Sequence, residues 1–177
     1  MAATLKSSGV KVVAFDMDQC MVKQHSRGCM THDGLSGNLA NVTPDFVAAV
    51  HALVKEGVKL AVATHSDQTE YNWLVDRTPK THLLGDDLVW PVLRSSFPEY
   101  ADELFVVAYN PNARFWFQRE EDQGKRRHVR VIAEWYGVDA SDVIVFDDDE
   151  DNVRLSQGFR AVKVEPSVGF RIRELSL

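Results

Sequence analysis

The sequence predicts an α/β fold: one doubly wound, Rossmann-like sheet of five parallel strands. Three observations carry this. Runs of β-branched and aromatic residues recur and stop abruptly at polar ones, as in Val12-Val13-Ala14-Phe15 before Asp16 and Val143-Ile144-Val145-Phe146 before Asp147. Such runs read as strands buried on both faces, the signature of a parallel sheet. Segments with helical spacing of apolar residues alternate with them and end at glycine, which argues for βαβ units. The length, 177 residues, suits a single domain that buries about 70% of its unfolded surface.

The elements follow in order. Lys11–Phe15 is the first strand. Residues Gln19–Val42, rich in Gly, Ser, His and Asn, read as a long loop or small flap. Thr43-Pro44 opens a helix with a capping hydroxyl and a first-turn proline; Phe46, Val50, Leu53 and Val54 share its buried face and Gly57 ends it. Val58–Ala63 is the second strand. Ser66 or Asp67 is placed to cap a helix through Trp73 and Leu74, interrupted by Pro79. Gly85-Asp86-Asp87 restarts a helix through Leu93, Leu104–Ala108 is the third strand, and Arg114–Asp122 is a loop or hairpin. Lys125–Tyr136 is a helix with Val129, Ile132, Ala133 and Tyr136 on one face, closed by Gly137. Asp142–Phe146, a short helix over Glu150–Gln157, and the strand Ala161–Val164 complete the domain, leaving Arg171–Leu177 unassigned.

Composition narrows the partners. A formal net charge of −6 argues against a nucleic-acid or anionic-membrane surface as the main partner, leaving nucleic acid only as an end-phosphate substrate. No apolar stretch approaches the ~20 residues of a membrane helix, and Met1–Val10 lacks a signal-peptide pattern, so the cytoplasm is the expected compartment. The two cysteines, Cys20 and Cys29, read as reduced thiols, and no Cys/His spacing suggests zinc.

The chemistry is predicted at the strand ends. In open α/β sheets ligands bind beyond the carboxyl ends of the strands. Asp16, Asp18, Asp147 and Asp148, with Asp149 behind, would meet there if the two acidic strands are neighbours. Two unit charges about 4 Å apart repel by roughly 4 kcal/mol at an effective dielectric near 20. A cation is therefore required, and an all-oxygen donor set favours Mg²⁺. Asp16 and Asp18, two apart, are expected on one side of the sheet, one as nucleophile and the other handling protons. Thr64 ends another apolar strand, where a hydroxyl beside free backbone amides suits a phosphate oxygen. Lys125, opening the helix before the acidic strand, is placed to neutralise a carboxylate and grip a phosphate.

The order DxD, Thr, Lys, DD resembles the haloacid dehalogenase superfamily of phosphohydrolases. Its hhhDxDx[TV] motif stands here as VVAFDMDQC, its strand-ending Thr or Ser as AVATHSD, its Lys in QGKRRH and its acidic pair in VFDDDEDN. The spacing of GKxxH, Gly137 and DDxxxN is similar to the small, nearly capless magnesium-dependent phosphatase subgroup. The resemblance runs from about Lys11 to Val164. It implies an aspartyl-phosphate on Asp16, acid–base work by Asp18, and Mg²⁺ held by Asp16, the backbone carbonyl of Asp18, Asp147 and Asp148. It implies that Thr64 and Lys125 bind the phosphate oxygens; His65, beside Thr64, is a candidate substrate contact from its position alone. Two departures stand out: Gln19-Cys20 where many members have Gly-Thr, and His65 after the motif Thr.

The expected activity is hydrolysis of a phosphomonoester, either a small molecule or a phosphate protruding from a macromolecule, since the 19–42 flap is too short for a full cap domain. Alternatively a dimer partner supplies the lid, and Phe115-Trp116-Phe117, flanked by Arg114 and Arg119, is a candidate rim or interface. Three rival readings are weighed. A receiver domain places its phosphoacceptor and Lys in a different strand order. A catalytically silent scaffold would be expected to lose Asp16 or Asp18, and both are present. A phosphotransferase would pass the same aspartyl-phosphate to an alcohol instead of water.

Overall fold

A computed structural model describes residues 8–66, 81–109 and 122–175. The main sheet holds β1 (Val12–Phe15), β3 (Lys59–Thr64), β5 (Phe105–Ala108), β6 (Val143–Asp147) and β7 (Arg160–Lys163), all parallel, in the order β5-β3-β1-β6-β7. The five strands are those expected, with ends moved by a residue or two. Helices α2 (Pro44–Lys55), α3 (Asp86–Ser96), α4 (Arg126–Tyr136) and the short α5 (Glu150–Arg154) connect them.

The strands' continuous apolar runs are explained by burial on both faces. Odd and even residues divide between two cores, as the two-residue period of a strand requires. Val13, Phe15, Leu60, Val62, Ile144 and Phe146 join Phe46, Val50 and Leu53 of α2 and Leu88, Val92 and Leu93 of α3. Val12, Ala14, Ala61, Ala63, Val143 and Val145 join Val129, Ile132 and Ala133 of α4. Phe15 is the aromatic centre of the first core, edge-on to Phe46 and Phe170 and stacked on Phe146 with ring centroids 5.6 Å apart. Gly137 closes α4 at φ 64, a left-handed conformation that glycine adopts without steric cost.

Several expectations are corrected. The segment 19–42 is not simply a loop: it contains β2 (Cys29–Thr31), a 3₁₀ turn at His32–Gly34 and α1 (Leu35–Ala40). β2 pairs antiparallel with β4 (His82–Leu84) in a second, two-stranded sheet. Each strand is three residues long and finds its partner some fifty positions away, so neither has a local signature. Thr43 occupies the cap position of α2, but its side chain makes no capping hydrogen bond and its hydroxyl is buried without a partner. α5 stops at Arg154 rather than Gln157. The expected helix through Trp73 and Leu74, and the Arg114–Arg119 segment with its three aromatics, lie outside the described residues. Among the described residues no helix is long and apolar enough to cross a membrane, and both cysteines are free and buried.

Candidate active site

Sheet register assembles the site. Phe15 pairs with Phe146 on one side and Val62 on the other. The next residue of each strand, Asp16, Asp147 and Ala63, therefore lies in one row at the carboxyl edge, one step out of the Phe15 core and toward the face covered by α4. Asp16 N–H donates to the Phe146 carbonyl at 2.8 Å, which locks this alignment. Carboxylate oxygens of Asp16, Asp147 and Asp148 lie within 4.8 Å of one another.

Lys125, immediately before α4, reaches into this row. Its Nζ donates to Asp16 Oδ1 at 2.6 Å and to the Ala63 carbonyl at 2.7 Å, and lies 3.4 Å from Asp147 Oδ2. Lys125 is 1% exposed as a residue, as is Asp147. Burial pushes the Asp16 carboxyl well above the usual range, against the pull of the Lys125 ammonium, and Asp147 adds to the rise. Burial works against the charge on Lys125, but the two carboxylates outweigh it and raise its pKa. Asp148, half-buried beside Asp147, is raised to about 6 by burial and by that neighbour.

Asp147 is fixed by three hydrogen bonds: Asp149 N–H donates at 2.8 Å to Oδ1, and Asn152 Nδ2 donates to Oδ1 and Oδ2 at 3.0 and 3.2 Å. Asp149 also caps α5, its carboxylate accepting from Asp151 N–H. These bonds hold the Asp147 carboxylate in one orientation at the sheet edge.

Asp18 stands differently. β1 ends at Phe15, so the two-residue strand period expected to align Asp16 and Asp18 does not extend to them. The Asp18 carboxylate instead faces the 25–27 turn. Its Oδ2 accepts from His25 Nδ1 (2.7 Å), Ser26 N–H and Oγ (both 2.8 Å) and Arg27 N–H (3.0 Å). Its Oδ1 is buried and has no partner. One oxygen is saturated and the other is unpartnered.

Thr64 and His65 line the same cleft, which encloses about 310 Å³ among Asp16, Asp18, His25, Arg27, Gly28, Lys125, Asp147, Asp148, Asp149 and Asn152. The Thr64 carbonyl accepts from His128 Nε2 at 2.9 Å, and the Gly124 carbonyl accepts from His65 Nε2 at 3.1 Å. Burial, aided by the Lys125 charge, lowers His65 to about 3 and His128 well below its ordinary value, so both rings are neutral near pH 7. With Nε2 donating, neutral His65 carries no proton on Nδ1 for a phosphate oxygen.

Sequence reasoning brought Asp16, Asp147, Asp148, Thr64, His65 and Lys125 to one edge. It missed the work of His128, Asn152, Ser26 and Ser66. His128 and Asn152 carried a signal in their GKxxH and DDxxxN spacing. Ser66 had only its adjacency to Thr64. Its hydroxyl donates to the Gly28 carbonyl (2.5 Å) and accepts from Gly85 N–H (2.7 Å), tying the flap turn to the start of α3, while the helix that Ser66 or Asp67 is expected to cap lies outside the described residues. The Gln19 departure also acquires a reason: Gln19 sits at φ 55, the left-handed region where glycine fits without strain. Cys20 is buried, its Sγ donating to the Phe146 carbonyl at 3.5 Å, and burial plus the charges of Asp16 and Asp147 push its thiol well above the usual value.

No protein-family model matches the chain, and no curated protein matches it in sequence. Solved structures do match in fold. The N-terminal part of a Bacteroides fragilis protein, containing a phosphatase domain and complexed with Mg, superposes with a TM-score of 0.57 at 14% identity, covering 98% of this chain. The chain spans only 41% of that one. The D,D-heptose 1,7-bisphosphate phosphatase of B. bronchiseptica, complexed with magnesium and phosphate, gives 0.54 at 12% identity over 90% of this chain and 95% of its own. A hypothetical protein from Xanthomonas campestris gives 0.53 at 12% identity over 99% and 84%. The chain thus shares the parallel α/β fold of these structures, and among the described residues no large cap domain accompanies it.

Proposed function

We propose that the chain is a Mg²⁺-dependent phosphohydrolase that cleaves phosphomonoesters through an aspartyl-phosphate on Asp16. The observation that carries this reading is the juxtaposition of Asp16 with Lys125 Nζ at 2.6 Å and with the oxygens of Asp147 and Asp148, at the carboxyl edge of the sheet. Three converging carboxylates with hard oxygen donors and one ammonium between them fit Mg²⁺, which takes one or two carboxylates and keeps several waters. Asp16, the Asp18 carbonyl, Asp147 and Asp148 would hold the ion, which when bound offsets the repulsion between an anionic nucleophile and an anionic phosphate.

The remaining work falls to side chains of the cleft. Asp16 attacks phosphorus in line, and Lys125 pulls its carboxyl back against the rise that burial imposes. Asp18 Oδ1, the unpartnered oxygen, gives a proton to the leaving oxygen and then takes one from the hydrolytic water, while Oδ2 stays clamped by the 25–27 turn. Thr64 and Lys125 grip the non-bridging phosphoryl oxygens, Lys125 by turning to the phosphate the proton that faces Asp147 at 3.4 Å, and His65 forms the wall beside them. The cleft takes a small phosphomonoester or a phosphate protruding from a macromolecule. The test is hydrolysis of an aryl phosphate with Mg²⁺ and with EDTA, beside Asp16→Asn. Metal-dependent activity abolished in the variant supports the reading; full activity in Asp16→Asn sinks it.

A further inference from the structure

The turn that clamps Asp18 also carries a cation with unspent donors. Lys125 has three ammonium protons and faces three acceptors, Asp16, the Ala63 carbonyl and Asp147. His25 spends Nδ1–H on Asp18. Arg27 is the other cation on the cleft wall, its side chain exposed, and no described residue accepts from its guanidinium. The five carboxylates of the cleft leave it unpaired.

Arg27 is nonetheless held in place. Its φ is 57, in the left-handed region, which is strained for a residue with a Cβ. The strain persists because both ends of the turn are pinned: Arg27 N–H donates to Asp18 Oδ2, and the Gly28 carbonyl accepts from the buried Ser66 hydroxyl. The carboxylate that serves the leaving oxygen therefore also fixes the backbone of the arginine. Arg27 stands on the leaving-group side of the cleft. A guanidinium with free donors pairs bidentately with carboxylate or phosphate.

We propose that Arg27 is a specificity-determining residue that selects phosphomonoesters whose leaving group carries a second anionic group, carboxylate or phosphate. The inference rests on the function proposed above for which side of the cleft receives the leaving group. The test compares phenyl phosphate, 3-carboxyphenyl phosphate and 1,3-phenylene bisphosphate as substrates of the wild type, Arg27→Gln and Arg27→Lys. The non-hydrolysable phenylphosphonate and 3-carboxyphenylphosphonate are titrated calorimetrically beside them. The wild type should prefer the anionic members, and Arg27→Gln should lower that preference, read as a ratio of kcat/KM or of Kd, by about tenfold or more. Arg27→Lys should keep part of it, and serves if the glutamine variant does not fold. The carboxylate and bisphosphate arms show which anion is preferred. An equal fall for all three esters, or an unchanged ratio, overturns the inference. Selective phosphonate binding lost in Arg27→Gln without hydrolysis of any ester would uphold Arg27 while removing the phosphatase reading.

Discussion

Lys125 Nζ lies 2.6 Å from Asp16 Oδ1 although the two residues are 109 positions apart in the chain. The pair is almost fully withdrawn from water, with side-chain exposures of 2% and 9%. In that setting removal of one partner leaves an uncompensated buried charge, which typically costs 3–5 kcal/mol. The ammonium therefore opposes the rise that burial imposes on the Asp16 carboxyl and also lets Asp16 and Asp147 lie side by side.

Lys125→Met is expected to destabilise the protein by about 3 kcal/mol without Mg²⁺. Part of that loss should return when Mg²⁺ is added, because the ion supplies positive charge to the same carboxylates. Chemical denaturation with and without the metal checks this. A variant equally unstable in both conditions would show that Lys125 acts through packing alone.

Magnesium should raise the thermal midpoint of the wild type. Binding at one hundred times the dissociation constant contributes about 2.7 kcal/mol. Asp147→Asn should reduce the gain, since it removes a charge from the cluster of Asp16, Asp147 and Asp148. A Mg²⁺-induced shift of the same size in Asp147→Asn would mean the ion binds elsewhere.

Asn152→Ala should weaken Mg²⁺ affinity roughly 10–100-fold, the usual effect of losing a partner that orients a ligand. Asn152 Nδ2 spans both oxygens of Asp147 and does not need to touch the ion. Titration of the metal against intrinsic fluorescence gives the number; unchanged affinity would assign Asn152 a purely structural role.

The contribution of His65 to stability should fall as pH drops from about 6.5 toward 3, against the opposite contribution of Asp148, which is raised to about 6. His65 is lowered from 6.5 to about 3 in the folded protein by burial, so within that window the unfolded chain binds a proton that the folded one does not. That contribution then rises with pH, by up to about 1.4 kcal/mol per pH unit for one histidine. His128, lowered in the same direction, adds to the slope. The stability advantage of the wild type over His65→Gln should shrink on acidification; an advantage constant from pH 7 to 4 would contradict the burial of a neutral ring.

Gln19→Gly should be tolerated, changing stability by no more than about 1 kcal/mol. Relief of the left-handed strain at φ 55 opposes the greater chain entropy of an unfolded glycine. Gln19→Val, β-branched at the same φ, should cost more. Equal thermal midpoints for both variants would mean that the backbone relaxes out of this conformation.

The sequence by itself determined where each strand of the main sheet stops and which residue type stands there. These are local properties: Val12–Phe15 and Val143–Phe146 are apolar because both faces of the sheet are covered, and Asp16 and Asp147, themselves buried, follow at the carboxyl edge where the apolar core gives way to the cleft. Motif order added the expectation that Thr64 and Lys125 share that edge. Only the tertiary structure decided which carboxylate meets which partner. The register Phe15–Phe146 puts Asp16 beside Asp147, the approach of α4 brings Lys125 between them, and the 25–27 turn takes Asp18 away from the acidic cluster. The β2–β4 sheet and the Ser66 bridge from Gly28 to Gly85 were equally illegible in the chain. The physical reason is the same in each case. A strand or helix is written in the periodicity of its own residues, whereas a contact between distant segments depends on how separately formed elements pack.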